Sequence, residues 1–233
     1  MPIFKKIDLS RLLIFIVFLE IVPVSHAFGK DWFVFSYAGR LGDNVLTKIV
    51  YSPHFTDSRL AAFGLGRKIL ENKDYVRLEW EGQIVRHSGQ DKFICHCSAC
   101  SNPGVNWAPG QSYEKSRDLS HMIFYEIDGA LVLRWLKFPW GKYIDIDFAA
   151  GEGISYATEI PPIEVDPHAV NHGDDQNVSR LLNYLMFELT FSLPRFSSWH
   201  FIYRVHHRSG DFGLINGVAN GSNFICLGIR YDF

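Results

Sequence analysis

The chain has 233 residues, 47% of them hydrophobic and 15% aromatic, with a formal net charge of −2. That near-neutral balance excludes the basic surface of a nucleic-acid-binding domain. Beyond residue 27 no apolar run approaches the ~20 residues of a membrane helix, so the greasy side chains must be spread over short segments.

At the start, Lys5, Lys6 and Arg11 precede an apolar run from Leu12 to Val24, then Ser25-His26-Ala27. These are the three parts of a secretory signal peptide, with small residues where a peptidase cuts. A membrane anchor fits less well, because the run is short, Glu20 interrupts it and no stop-transfer pattern follows. The expectation is cleavage after Ala27, leaving residues 28–233 as one domain.

Two segments of irregular alternation, 31–38 and 59–70, come next. In 74–86 the pattern sharpens: Val76, Leu78, Trp80 and Ile84 take one face, and Arg77, Glu79, Glu81 and Gln83 the other. A strand sends successive side chains to opposite sides, so this is a strand with one greasy and one charged face. The connection at 88–121 holds Cys95-His96-Cys97-Ser98-Ala99-Cys100. Zinc binding needs a second ligand cluster, which is missing, and an exported chain meets an oxidising compartment. A loop disulfide or free thiols is therefore the expectation.

In 122–136, Ile123, Tyr125, Ile127, Leu131, Leu133 and Trp135 oppose Glu126, Asp128 and Arg134. In 143–156, Ile144, Ile146, Phe148, Ile154 and Tyr156 oppose Asp145, Asp147 and Ser155. Glu152 breaks that pattern with outward parity, through a bulge that turns it inward or as a group facing lipid headgroups. In 181–193, Leu185, Phe187, Leu189, Phe191 and Leu193 oppose Glu188, Thr190 and Ser192. In 199–209, Trp199, Phe201, Tyr203 and Val205 oppose His200, Arg204 and His206. The tail puts Ile225, Leu227, Ile229, Tyr231 and Phe233 on one face, with Cys226, Arg230 and Asp232 on the other.

Eight such strands with an apolar outer face predict an all-β fold, an eight-stranded antiparallel transmembrane barrel of the bacterial outer membrane. Side chains fill a barrel of that size, which rules out a porin channel. Its inward acids (Glu79, Glu81, Glu126, Asp128, Asp145, Asp147, Glu188) and inward bases (Arg77, Arg134, Arg204, His206, Arg208) are then expected to pair as a structural network, since each alone carries a heavy desolvation cost. Connections near 71–73, 137–142 and 194–198 are short; those near 39–58, 88–121, 157–180 and 210–221 are long. Long loops belong outside the cell, so both chain ends lie in the periplasm and the strand ending at Ser209 reaches the cell surface.

There stands His206-His207-Arg208-Ser209-Gly210. His207 and Ser209 continue the outward series, and polar groups facing the membrane ask for a reason. A neutral His beside a Ser on one face can accept the hydroxyl proton and make the Ser a nucleophile.

An eight-stranded barrel with this His-x-Ser near the end of its penultimate strand resembles the outer-membrane lipid A 3-O-deacylases, the PagL family, and their acyloxyacyl hydrolase-like relatives. The sharper match runs from about Arg204 to Phe233, through Gly217, Gly221-Ser222-Asn223 and the Gly228-Ile229-Arg230-Tyr231-Asp232-Phe233 ending. The resemblance implies Ser209 as nucleophile and His207 as general base, on the outer wall of the barrel and facing the membrane. It implies lipid A of lipopolysaccharide as substrate, with no cofactor or metal, and leaves a homodimer open. Two positions depart from the family. No Glu follows Glu188 to orient the His; Asn223, with outward parity on the adjoining strand, is the expected stand-in, and Asp211 lies in a loop. Gly210 follows Ser209 where the family has the Asn of its oxyanion hole, leaving backbone N–H groups for that task.

Overall fold

The computed structural model describes residues 29–42, 46–72, 75–89, 122–136, 138, 144–161, 164, 179–210, 215, 218 and 221–233. The expected signal peptide, the cysteine cluster and Asp211 lie outside the described residues. Eight strands follow in chain order: β1 (Trp32–Gly42), β2 (Phe55–Asn72), β3 (Val76–Gly89), β4 (Met122–Trp135), β5 (Asp145–Ala157), β6 (Leu181–Ser192), β7 (Trp199–Ser209) and β8 (Gly221–Asp232). Each pairs antiparallel with its neighbours, and β8 closes on β1. Closure leaves no free sheet edge, the condition for crossing lipid with strands.

β1 and β2 extend further than their alternation suggests. Residues 39–42 and 55–58 were expected in a connection but belong to the strands, with Gly42 paired to Phe55 across a register shift between Arg40 and Gly42. Arg40 secures that end, donating to the Thr56 carbonyl at 2.9 Å and lying over the Phe55 ring. The intervening connection carries the short helix α1 (Leu46–Ile49).

The outer wall is apolar. Ile84, Ile127, Leu131, Ile154, Phe201 and Leu227 all project from it and are exposed. Aromatic pairs mark the short-connection end, with Trp199 against Tyr231, Trp135 against Phe148 and Trp32 against Trp80, as an interfacial girdle requires. Among the described residues no helix is long and apolar enough to cross a membrane.

The lumen is the reverse. Phe33, Phe35 and Tyr37 of β1 form an inward aromatic column, with Arg230 over Phe33 at 3.5 Å and Arg204 over Phe35 at 4.8 Å. Gly64 and Gly66 make room for it on β2, since a Cβ at either position would come within 2.3 Å or less of a Phe ring. Much of the expected charge network is present. It runs from Lys68 to Asp232 (2.8 Å), Arg230 (2.6 Å), Glu79 (2.8 Å), Arg134 (3.1 Å), Glu188 (2.7 Å), Arg204 (2.6 Å) and Glu81 (2.9 Å), each step a change of sign. Every carboxylate in that chain has a cation beside it, which offsets the desolvation of burial.

Candidate active site

β7 runs toward the end of the barrel that carries the long connections. Its twofold alternation buries His206 and Arg208 in the lumen and leaves His207 and Ser209 half-buried on the outer wall. Two strand residues on one face lie about 7 Å apart at Cα, a span that two side chains can close.

The register of β7 on β8 sets His207 opposite Asn223. His207 Nδ1 lies 2.6 Å from Asn223 Oδ1. An amide oxygen only accepts, so Nδ1 carries the hydrogen and Nε2 keeps a lone pair. That is the tautomer a general base needs. Asn223 is 8% exposed although it sits on the outer wall, so the pair is partly shielded from its surroundings.

Ser209 has Gly221 opposite on β8 and Asn183 opposite on β6. A Cβ at Gly221 would come within 2.9 Å of the Ser209 Cβ. Glycine there keeps the space beside the hydroxyl open. Asn183 was not among the sequence candidates. The signal was available, because it shares outward parity with Leu185, Phe187 and Leu189 and is the polar residue of that series.

A second group missed in the sequence is Glu164, buried inside the long β5–β6 connection. It accepts from Arg208 Nη1 on β7 and, at 3.0 Å, from Ser222 Oγ on β8. Arg208 also donates from Nε to Ser155 of β5 at 3.0 Å. Both partners of Glu164 sit one residue from the His207–Asn223 pair, so it ties β7 to β8 from behind the site. Burial pushes its carboxyl up to about 7 even with the Arg208 guanidinium beside it.

Glu152 has its alternative resolved. The pairing of β5 with both neighbours runs through it without a bulge, and its side chain is exposed on the outer wall. Leu185 of β6 stands between it and His207 in the register. Glu152 is therefore one strand removed from the His207 ring.

No protein-family model matches the chain, and no curated protein matches it either. Solved structures do. The outer membrane enzyme PagL matches with a TM-score of 0.50 and 11% sequence identity, covering 86% of this chain and 99% of that one. Neisserial surface protein A gives 0.45 and 12%, covering 88% and 98%. The N-terminal β-barrel domain of Pseudomonas aeruginosa OprF gives 0.40 and 10%, covering 88% and 98%. By fold the chain is an eight-stranded outer-membrane barrel. At these identities the likeness is one of architecture, and the chemistry has to be argued from the side chains.

Proposed function

We propose that the chain is a serine esterase of the outer membrane that removes an ester-linked acyl chain from lipid A. The observation that carries this reading is the 2.6 Å contact between His207 Nδ1 and Asn223 Oδ1 on the outer wall, beside Ser209. A hydrogen-bonded imidazole in the general-base tautomer, two residues from a hydroxyl, is a costly arrangement to place against lipid without a use for it.

The reaction divides into two acyl transfers. Ser209 Oγ attacks the ester carbonyl carbon while His207 Nε2 takes the hydroxyl proton, and the carbonyl oxygen becomes an oxyanion. Asn223 Oδ1 accepts from Nδ1–H throughout and steadies the imidazolium, as the amide does in Cys-His-Asn sites. Collapse breaks the bond to the sugar oxygen, which leaves with the proton from Nε2, and the acyl chain remains on Ser209. Water then attacks, giving its proton to Nε2, and the fatty acid departs as Ser209 regains its hydrogen. Asn183 across the strand supplies an amide N–H for the oxyanion, the task that the family gives to a residue after the serine. The substrate stays in the outer leaflet, so its acyl chains approach the wall laterally.

Mass spectrometry of lipid A from cells expressing wild type or Ser209→Ala tests this. The expected result is loss of one acyl chain with wild type and none with the variant. Identical spectra from both and from the empty vector would end the esterase reading and leave a non-catalytic barrel with a structural or adhesive role.

A further inference from the structure

The sign-alternating chain in the lumen stops short of the long-connection end. There Glu126 and Asp128 of β4 are buried, at 1% and 3% exposure. Their hydrogen-bond partners are His87 (2.7 Å), His206 (3.1 Å), Ser155 (2.7 Å) and Gln83 (2.6 Å), none of them a permanent cation. Two carboxylates here meet two imidazoles, a hydroxyl and an amide. By the logic of the rest of the lumen a positive charge is owed at this place.

The hydrogen bonds around His206 say where. Gln83 donates from Nε2 to Asp128 Oδ2, which turns its Oε1 toward Tyr37. The Tyr37 hydroxyl donates to that Oε1 at 2.8 Å, using its single hydrogen. Tyr37 can then only accept from His206, whose Nδ1 lies 2.9 Å away. Nδ1 is thus the protonated nitrogen, and the Nε2 lone pair faces Glu126 Oε1 at 3.1 Å. Asp128 Oδ1 is buried without a hydrogen-bond partner, and so is the hydroxyl of Tyr184, whose ring lies 4.9 Å from that of His206. Ligand atoms of Glu126, Asp128 and His206 all fall within 4.8 Å of one another.

We propose that Glu126, Asp128 and His206 form a binding site for a divalent first-row transition cation, with zinc as the type case. Metal–ligand bonds of about 2.1 Å meeting at the tetrahedral angle put two ligand atoms about 3.4 Å apart, within a few tenths of an ångström of the 3.1 Å between His206 Nε2 and Glu126 Oε1. An imidazole among the ligands favours zinc over magnesium or calcium, which take oxygen ligands. A cation answers the facing lone pairs and the unpartnered Asp128 oxygen together. Protonating the His206 ring answers only the first, and a proton on Asp128 shared with Glu126 answers only the second. Access is from the outer mouth, where His87, Phe124, Ser222 and Phe224 line a cleft and His87 Nε2 reaches Glu126. The site lies in the lumen, one residue along β7 from His207, and stands whether or not the outer wall is catalytic.

The test uses the full chain folded in detergent, stripped with a chelator and dialysed against zinc chloride alone. Because Cys95, His96, Cys97 and Cys100 offer rival zinc ligands in sequence, the background carries Cys95→Ser, Cys97→Ser and Cys100→Ser. The expected result is about one equivalent of zinc retained, at least tenfold weaker binding in Asp128→Asn, and a rise in melting temperature with zinc but not magnesium. Absence of retained zinc, or equal retention in Asp128→Asn, overturns the site and leaves protons shared among the acids and imidazoles. Should Asp128→Asn fail to fold, cobalt(II) added to the triple-serine background decides: visible ligand-field absorption supports the site, and the spectrum of the aqueous ion refutes it.

Discussion

At His207 the orienting partner is an amide where the resembling family uses a carboxylate, and the difference has a measurable size. An amide oxygen fixes the tautomer as well as a carboxylate does, but it stabilises the imidazolium less, because it brings no net charge. Asn223→Ala should lower kcat of acyl release by about 10²-fold, whereas Asn223→Asp should keep or raise it. Asn183→Ala, removing the donor proposed for the oxyanion, should cost about 10²–10³ in kcat with little change in KM. Release of free fatty acid from purified lipid A by the protein in detergent reads both. His207→Ala should be as inactive as Ser209→Ala, while His206→Ala, which loses lumen contacts to Glu126 and Tyr37, should act on stability. Turnover in Asn223→Ala at the wild-type rate would show that the 2.6 Å contact is structural.

Among the elements, β7 and β8 carry the site, and Glu164 fastens them together through Arg208 and Ser222. Its carboxyl ordinarily titrates near 4.5 and is raised to about 7 in the fold, so the fold favours the protonated form. Its contribution is therefore complete below about pH 4.5 and is lost as pH rises through about 7, a difference of order 3 kcal/mol. Thermal unfolding in detergent should show stability falling between those limits in the wild type, with that slope removed in Glu164→Gln. Equal slopes would mean that other groups set the pH dependence. The strands themselves were legible because lipid on one side and a charged lumen on the other impose a period of two, which Val76 to Gln83 or Ile225 to Phe233 display outright. The parity of His207, Ser209 and Asn223 followed from the same period. Glu164 was not legible, since a loop residue folded into a barrel mouth leaves no periodic trace. Asn183 stood out by parity as the polar residue of its outward series, but its place beside Ser209 required the β6–β7 register, which alternation within a single strand does not determine.

For the molecule as a whole, the exterior is held by its solvent and the interior by its charges. The apolar wall gains little from burial against lipid, so the lumen network has to supply much of what makes the barrel one rigid body. Glu79 is the best place to test this, because it is fully buried and joins three guanidiniums, Arg134 at 3.1 Å, Arg230 at 2.8 Å and the less buried Arg77 at 3.4 Å. Glu79→Gln keeps the shape, removes the charge and leaves two buried cations to share what Glu188 and Asp232 provide. Breaking a buried pair from one side costs about 3–5 kcal/mol. Glu71→Gln is the matched control. Its pair with Arg77 has the same 2.8 Å length, but the Glu71 side chain is 43% exposed, and a surface pair is worth about 0–1 kcal/mol. Chemical denaturation of both variants in detergent should move the midpoint strongly for Glu79→Gln and barely for Glu71→Gln. If the two shifts were equal, the lumen would be held by its aromatic column and shape, and the alternating charges would be tolerated inside it without stabilising it.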